Sequence, residues 1–350
     1  MSISSCIASC ALLTMTACSE SSAAHDTSTN VTTLATNLDV PWGMSFLPNG
    51  NALVTQRDQH TILQVTPRGA VSTLQTIPGV SSQGETGLLG IAVSPQYTND
   101  SSIFVYYSTA QDNRIARLRP GQAPQPIVTG IPTGHNRNGG KLAFGPDGYL
   151  YAGTGDAGDT SHAQEIDKLG GKVLRMTMDG KAPPNNPFPK SLVYAYGYRN
   201  VQGLAWDRSG RLYASDFGED KADELNRVEA GKDYGWPIVE GKSDDPRYVS
   251  PLATWAPAQA SPSGIAISGS TVALACLRGE QVRLVGLDGN GNVSPKARSI
   301  LGGKFGRLRA IEIAPDGSPW ITTSNKDDRG SPHKGDDKIL RIPASAVGKR

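Results

Sequence analysis

Phe144-Gly145-Pro146-Asp147-Gly148-Tyr149-Leu150-Tyr151-Ala152-Gly153 is an apolar run that enters a tight turn and leaves it as a second apolar run. Ile313-Ala314-Pro315-Asp316-Gly317-Ser318-Pro319-Trp320-Ile321 repeats the phrase. Looser copies begin at Phe46 (Leu47-Pro48-Asn49-Gly50), Val93 (Ser94-Pro95-Gln96-Tyr97), Trp206 (Asp207-Arg208-Ser209-Gly210) and Ile265 (Ala266-Ile267-Ser268-Gly269), roughly 45–60 residues apart. One copy cannot bury its own apolar face, so units of this period must stack, and the unit they fit is a propeller blade. Six copies predict an all-β, six-bladed β-propeller, whose loops gather at one end of the axis, where a site can be built.

The repeat makes one large domain of residues 38–343, although 350 residues could hold two. Forty glycines and 24 prolines suit many tight turns. After Thr27 no stretch of helical length shows sustained 3.6-residue periodicity with caps. A formal net charge of +2 gives no broad field to recruit nucleic acid or an anionic membrane.

Ile7 to Ala17 is apolar or small and ends in Met15-Thr16-Ala17-Cys18, without a Lys or Arg before it. Residues 1–18 read as an export signal, with Cys18 a candidate lipid anchor. The polar residues 19–37 then read as a flexible tether, and 344–350 as a tail. The expected location is the bacterial cell envelope, or the periplasmic or extracellular space. Cys6, Cys10 and Cys18 all fall in the leader, so no disulfide framework is available. Cys276, in an apolar strand, reads as a buried small hydrophobe.

Polar loops recur at Gly84–Gly90, Gly134–Gly140, Thr154–Ala163, Asp216–Asp223 and Asp327–Asp337. Exposure alone explains such loops. What raises their interest is that His135, Arg199, Arg307 and Arg309 stand beside glycines, which let a ligand approach the backbone closely.

Eight segments in order resemble the soluble glucose dehydrogenase and aldose sugar dehydrogenase family (glucose/sorbosone dehydrogenases). They include Gly87-Leu88-Leu89-Gly90-Ile91-Ala92, Gly139 to Gly148, Gly153-Thr154-Gly155-Asp156-Ala157-Gly158 and Leu169 to Arg175. Tyr196-Gly197-Tyr198-Arg199-Asn200-Val201-Gln202-Gly203-Leu204, Asp223 to Asn226, Asp233 to Pro237 and Gly306-Arg307-Leu308-Arg309 complete the set. The resemblance implies pyrroloquinoline quinone (PQQ) over the channel mouth with calcium beneath it. It also implies oxidation of an aldose, or an oligosaccharide, at the anomeric carbon to a lactone, and an electron acceptor that no sequence signature identifies.

PQQ is a tricarboxylate, and Arg binds carboxylates bidentately. By resemblance Arg307 and Arg309 hold the cofactor, two apart and so on one face of a strand, with Arg278 as a further basic contact. Arg199 and Asn200 match residues at the reactive carbonyl, and Glu85 one that touches substrate or cofactor. Calcium would take the carbonyls of Gly218 and Glu219, with Asp223 nearby. Taking a proton from a sugar hydroxyl suits a His. His135 is the candidate base, with Asp156 to orient it, although the family's spacing to Lys141 puts Arg137 at the His position. Arg stays protonated and is no base. His25, His60, His162 and His333 are weaker candidates. A calcium-dependent lactonase, which needs side-chain carboxylates on the metal, and a non-catalytic ligand-binding propeller remain as alternative readings.

Overall fold

The Pro-Asp-Gly phrase is a hairpin turn. The Gly145 amide donates to the Tyr149 carbonyl and the Gly148 amide to the Gly145 carbonyl, both at 2.9 Å. Gly148 sits at φ +79°, the left-handed region that glycine enters without strain. The same bond pair closes Leu47–Asn51, Asp207–Arg211 and Ala314–Ser318. Each turn joins the first and second strands of a blade.

The computed structural model describes Met1, His25–Asp26 and residues 29–348. The expected export signal and Cys18 fall outside the described residues beyond Met1. Six sheets follow in chain order, each of four antiparallel strands, with His25–Asp26 added parallel to the outer strand of blade five. Blade one is Pro41–Phe46, Ala52–Gln56, Thr61–Val65 and Val71–Thr76; blade two is Leu88–Val93, Ile103–Ser108, Asn113–Leu118 and Gln125–Ile131. Blade three is Gly139–Phe144, Leu150–Thr154, Lys172–Met176 and Val193–Tyr196; blade four is Val201–Trp206, Leu212–Asp216, Asp223–Val228 and Ala253–Trp255. Blade five is Pro262–Ser268, Thr271–Cys276, Gln281–Leu287 and Val293–Ile300. Each blade's first strand packs on the first strand of the next, and the sixth returns to the first. The chain is a six-bladed β-propeller. Its only α-helical element among the described residues is one turn, Tyr97–Asp100.

The core is divided by blade. Six apolar clusters among the described residues each fill one interface between neighbouring blades. Successive side chains of a strand point to opposite faces, so one strand feeds two clusters. Ile62 joins the cluster shared with blade two, and Leu63 the cluster shared with blade six. Val272 and Leu274 pack against blade four, whereas Ala273 and Ala275 pack against blade six. Strands buried on both faces need apolar residues at consecutive positions, as in Ile103–Ser108; outer strands such as Val71–Thr76 are largely exposed. Cys276 is buried, and burial pushes its thiol up to about 12.

The ring is closed by both ends of the chain. Ile339–Arg341, the last strand in sequence, is the third of blade six, after Leu308–Ile313 and Pro319–Thr323. The outer strand is Thr32–Ala35, pairing Thr32 with Arg341 and Ala35 with Ile339. Part of the expected tether is therefore built into the ring and covers an edge that would otherwise be open. Nor is 344–350 simply a tail: Ala344–Ala346 is a 3₁₀ turn, and Val347 is buried between blades five and six.

The antiparallel order fixes where a site can lie. Hairpins between first and second strands are at one end of the axis. Segments entering first strands, and loops between second and third strands, are at the other.

Candidate active site

That second end holds a cavity of about 400 Å³. Glu85, His135, Arg199, Asn200, Gly218, Glu219, Asp223, Arg278, Arg307 and Arg309 all line it. Asp156 does not; it is fully buried. Seven guanidiniums reach this mouth, from Arg57, Arg137, Arg199, Arg278, Arg307, Arg309 and Arg329. Six carboxylates face them: Glu85, Glu219, Asp220, Asp223, Asp327 and Asp328.

Arg307 and Arg309 converge on one atom. Oδ2 of Asp327 accepts from Arg307 Nε at 3.1 Å and Nη2 at 3.0 Å, and from Arg309 Nη2 at 3.1 Å. Arg309 Nε also donates to Ser324 Oγ at 2.8 Å, and its guanidinium lies 5.8 Å from the Trp42 ring. Burial, outweighing the attraction of Asp327, pulls the Arg309 pKa down to about 10. Burial alone would raise the Asp327 carboxyl, but Arg309 and Arg307 hold it below the usual carboxylate range.

On blade four, buried Asp216 organises the next group. Its Oδ2 accepts from the Arg199 amide at 3.0 Å and its Oδ1 from the Asn200 amide at 2.6 Å. Burial pushes its carboxyl up to about 7. The Asn200 side-chain oxygen accepts from the Gly139 amide at 2.8 Å, tying blades three and four together. Asp223 accepts from the amides of Gly218 and Ser261, at 3.0 and 2.7 Å, and burial pushes it up to about 6. The loop after Gly218 is held from outside the mouth. Glu240 Oε1 takes the amides of Glu219, Asp220, Lys221 and Ala222 at 2.6–3.2 Å.

The environment of Asp156 corrects the expected role. Its carboxylate does not face His135. It accepts from Arg137 Nη1 at 3.2 and 3.4 Å, from Trp236 Nε1 at 2.8 Å and from the Gly158 amide at 2.8 Å. The reason is local backbone geometry. Arg137 takes φ +61°, and Gly155 lets its carbonyl approach closely; a Cβ there would lie 1.9 Å from that oxygen. His135 sits two residues earlier, exposed on the rim. Its carbonyl accepts from the Glu85 amide at 2.8 Å, and Gly84, at φ +62°, makes room for its ring. His135 is nevertheless the one histidine of the described residues that lines the mouth.

Sequence reasoning missed Asp327, Asp216, Glu240, Trp236 and the partners of Arg137. Among the described residues no three His, Cys, Asp or Glu side chains are grouped to hold a metal. Backbone carbonyls would have to supply much of any calcium shell here.

The profile of the Glucose / Sorbosone dehydrogenase family matches residues 38–332. This chain belongs to that family. The PQQ-bound aldose sugar dehydrogenase of Streptomyces coelicolor superposes with a TM-score of 0.86 at 46% identity, covering 91% of this chain and 99% of that one. Aldose sugar dehydrogenase YliI of Escherichia coli is 32% identical over 231 residues, 60% of this chain and 62% of the relative. Quinoprotein glucose dehydrogenase B of Acinetobacter calcoaceticus is 29% identical over 62% of this chain and 54% of its own length. A gluconolactonase-like structure at 15% identity and TM-score 0.54 shares the fold alone.

Proposed function

We propose that this chain is a PQQ-dependent dehydrogenase that oxidises aldoses at the anomeric carbon to lactones. The observation that carries the proposal is the convergence of guanidiniums from separate blades on one mouth, two of them meeting at a single oxygen of Asp327. A buried carboxylate shared by two arginines leaves them donors to spare for a second anion, and a tricarboxylate is such an anion. The PQQ-bound Streptomyces relative supports the same reading.

In this reading Arg307, Arg309 and Arg278 hold the cofactor's carboxylates, and Glu85 borders cofactor and sugar. Arg199 and Asn200, fixed by Asp216, present donors where negative charge develops. The carbonyls of Gly218 and Glu219, with Asp223, would bind calcium. Bound PQQ would supply the acceptor for the hydride leaving C1. His135, on the rim, accepts the proton of the anomeric hydroxyl.

The test is dye-linked oxidation of an aldose panel by apoprotein supplied with PQQ and calcium. Activity that requires PQQ supports the proposal. Hydrolysis of lactones with calcium alone would point to the lactonase reading; that reading needs side-chain carboxylates converging on a metal, and the described residues hold no such group. We also propose export and lipidation at Cys18. Labelling by a lipid precursor, abolished in Cys18→Ala, would support this; an unlabelled wild-type chain would contradict it.

A further inference from the structure

We infer that Arg137, which the sequence reading assigned no role, is a cofactor-binding residue that raises the reduction potential of the bound quinone; this rests on the PQQ reading above. Arg137 is an unusual residue for its backbone. It takes φ +61°, a region in which a long side chain is strained. Its guanidinium is nonetheless pinned, because Nη1 is tied to Asp156, which Trp236 Nε1 and the Gly158 amide hold in turn.

The rest of the guanidinium lacks close partners. Nε is shut off from water and has no acceptor. Nη2 has only an ion pair of 3.6 Å, to Glu219 Oε1. Arg199 repeats the pattern: its Nε is also buried without a partner, and its Nη2 lies 3.4 Å from the same Glu219 oxygen. Two arginines of one wall, bridged by one carboxylate, thus carry unmatched charged donors beside the same cavity. Buried donors of this kind are seldom left unpaired in a folded protein. An oxygen-rich anion entering the mouth can complete the Nη2 donors, whose contacts to Glu219 are long, while the shut-off Nε groups leave their share of the positive charge unmatched beside it.

Arg137 acts through its charge as well as through contact. A cation beside a quinone attracts the form reduced by hydride, which carries one more negative charge, more strongly than the oxidised form. The position that a neutral imidazole would occupy by the family's spacing to Lys141 here carries a guanidinium.

The experiment compares wild type, Arg137→Gln and Arg137→Lys. Affinity for oxidised PQQ is measured by absorbance titration of apoprotein with calcium present, and the midpoint potential of the bound cofactor by redox titration. The expected result is PQQ binding at least tenfold weaker in Arg137→Gln, with Arg137→Lys in between because it keeps the charge and loses the planar fork. If the Gln variant loses a further tenfold for the reduced form, the midpoint falls by about 30 mV. Near-UV circular dichroism checks that each variant is folded, and the Lys variant carries the comparison should the Gln variant fail to fold. Wild type that binds no PQQ would overturn the PQQ reading itself. Wild type that binds, with a folded variant matching its affinity and potential, would overturn this inference alone.

Discussion

Replacing Arg309 with Met separates cofactor binding from folding. The side chain is buried, and burial lowers its pKa despite the acid beside it, so the charge is held at an electrostatic disadvantage. Removing it takes one donor from Ser324 Oγ, which still donates to Asp327, and leaves no buried carboxylate unpaired. Asp327 Oδ2 keeps both donors of Arg307 and the hydroxyl of Ser324 at 3.1 Å. Apolar replacement of a buried charge whose partner stays satisfied is often neutral or stabilising, so the apoprotein should unfold within about 1 kcal/mol of wild type. PQQ binding should fare differently. Loss of one charge-assisted hydrogen bond, about 1.5–3 kcal/mol, weakens affinity roughly 10- to 150-fold. Asp327→Asn is the contrasting variant. It leaves two buried guanidiniums without their counter-ion and should destabilise the fold by about 3–5 kcal/mol. Denaturant unfolding of apoprotein and absorbance titration with PQQ read the two effects separately. An Arg309→Met protein that binds PQQ normally but is more than about 2 kcal/mol less stable would refute the reasoning and make Arg309 structural.

Three further expectations follow. His135→Ala should abolish turnover while leaving PQQ affinity unchanged; retained turnover in a dye-linked assay would move the base elsewhere. Lys172 is buried, with Nζ donating to the carbonyls of His162, Ala163 and Gly170, and burial pulls its pKa down to about 7. Between pH 7 and about 10 the unfolded chain holds a proton there that the folded chain has lost, so this residue makes stability rise with pH, by at most about 1.4 kcal/mol per unit. Lys172→Met should flatten that rise in urea unfolding measured at pH 7, 8 and 9, and an unchanged slope would contradict the assignment. Deleting the chain through Ala35 should lower the unfolding midpoint clearly more than deletion through Val31: both remove the His25–Asp26 pairing with blade five and the packing of Val31, but only the first removes the outer strand of blade six.

The repeat was legible because its turn has a strict local requirement: glycine at positive φ, repeated at blade spacing. Closure was not. Thr32-Thr33-Leu34-Ala35 is short, half exposed and set in a polar stretch, and it becomes a strand only because Ile339–Arg341 presents an open edge. In the site, Arg307 and Arg309 were readable as a pair because a two-residue spacing sets side chains on one face. The groups that fix them in place were not. Asp327 lies twenty residues beyond Arg307, and Trp236 eighty beyond Asp156. Asp216 and Glu240 have no motif of their own; they are functional through the amides they capture. The pairing of Asp156 was misread because a backbone at positive φ, invisible to spacing, carries Arg137 to the acid and leaves His135 on the rim.

The most direct measurement is a titration of purified apoprotein with PQQ in the presence of calcium, followed by addition of an aldose. Saturation at one PQQ per chain, and loss of the oxidised cofactor's absorbance when sugar is added, is the predicted outcome. A spectrum that shows no saturable binding, or bound PQQ that no aldose reduces, would contradict the account.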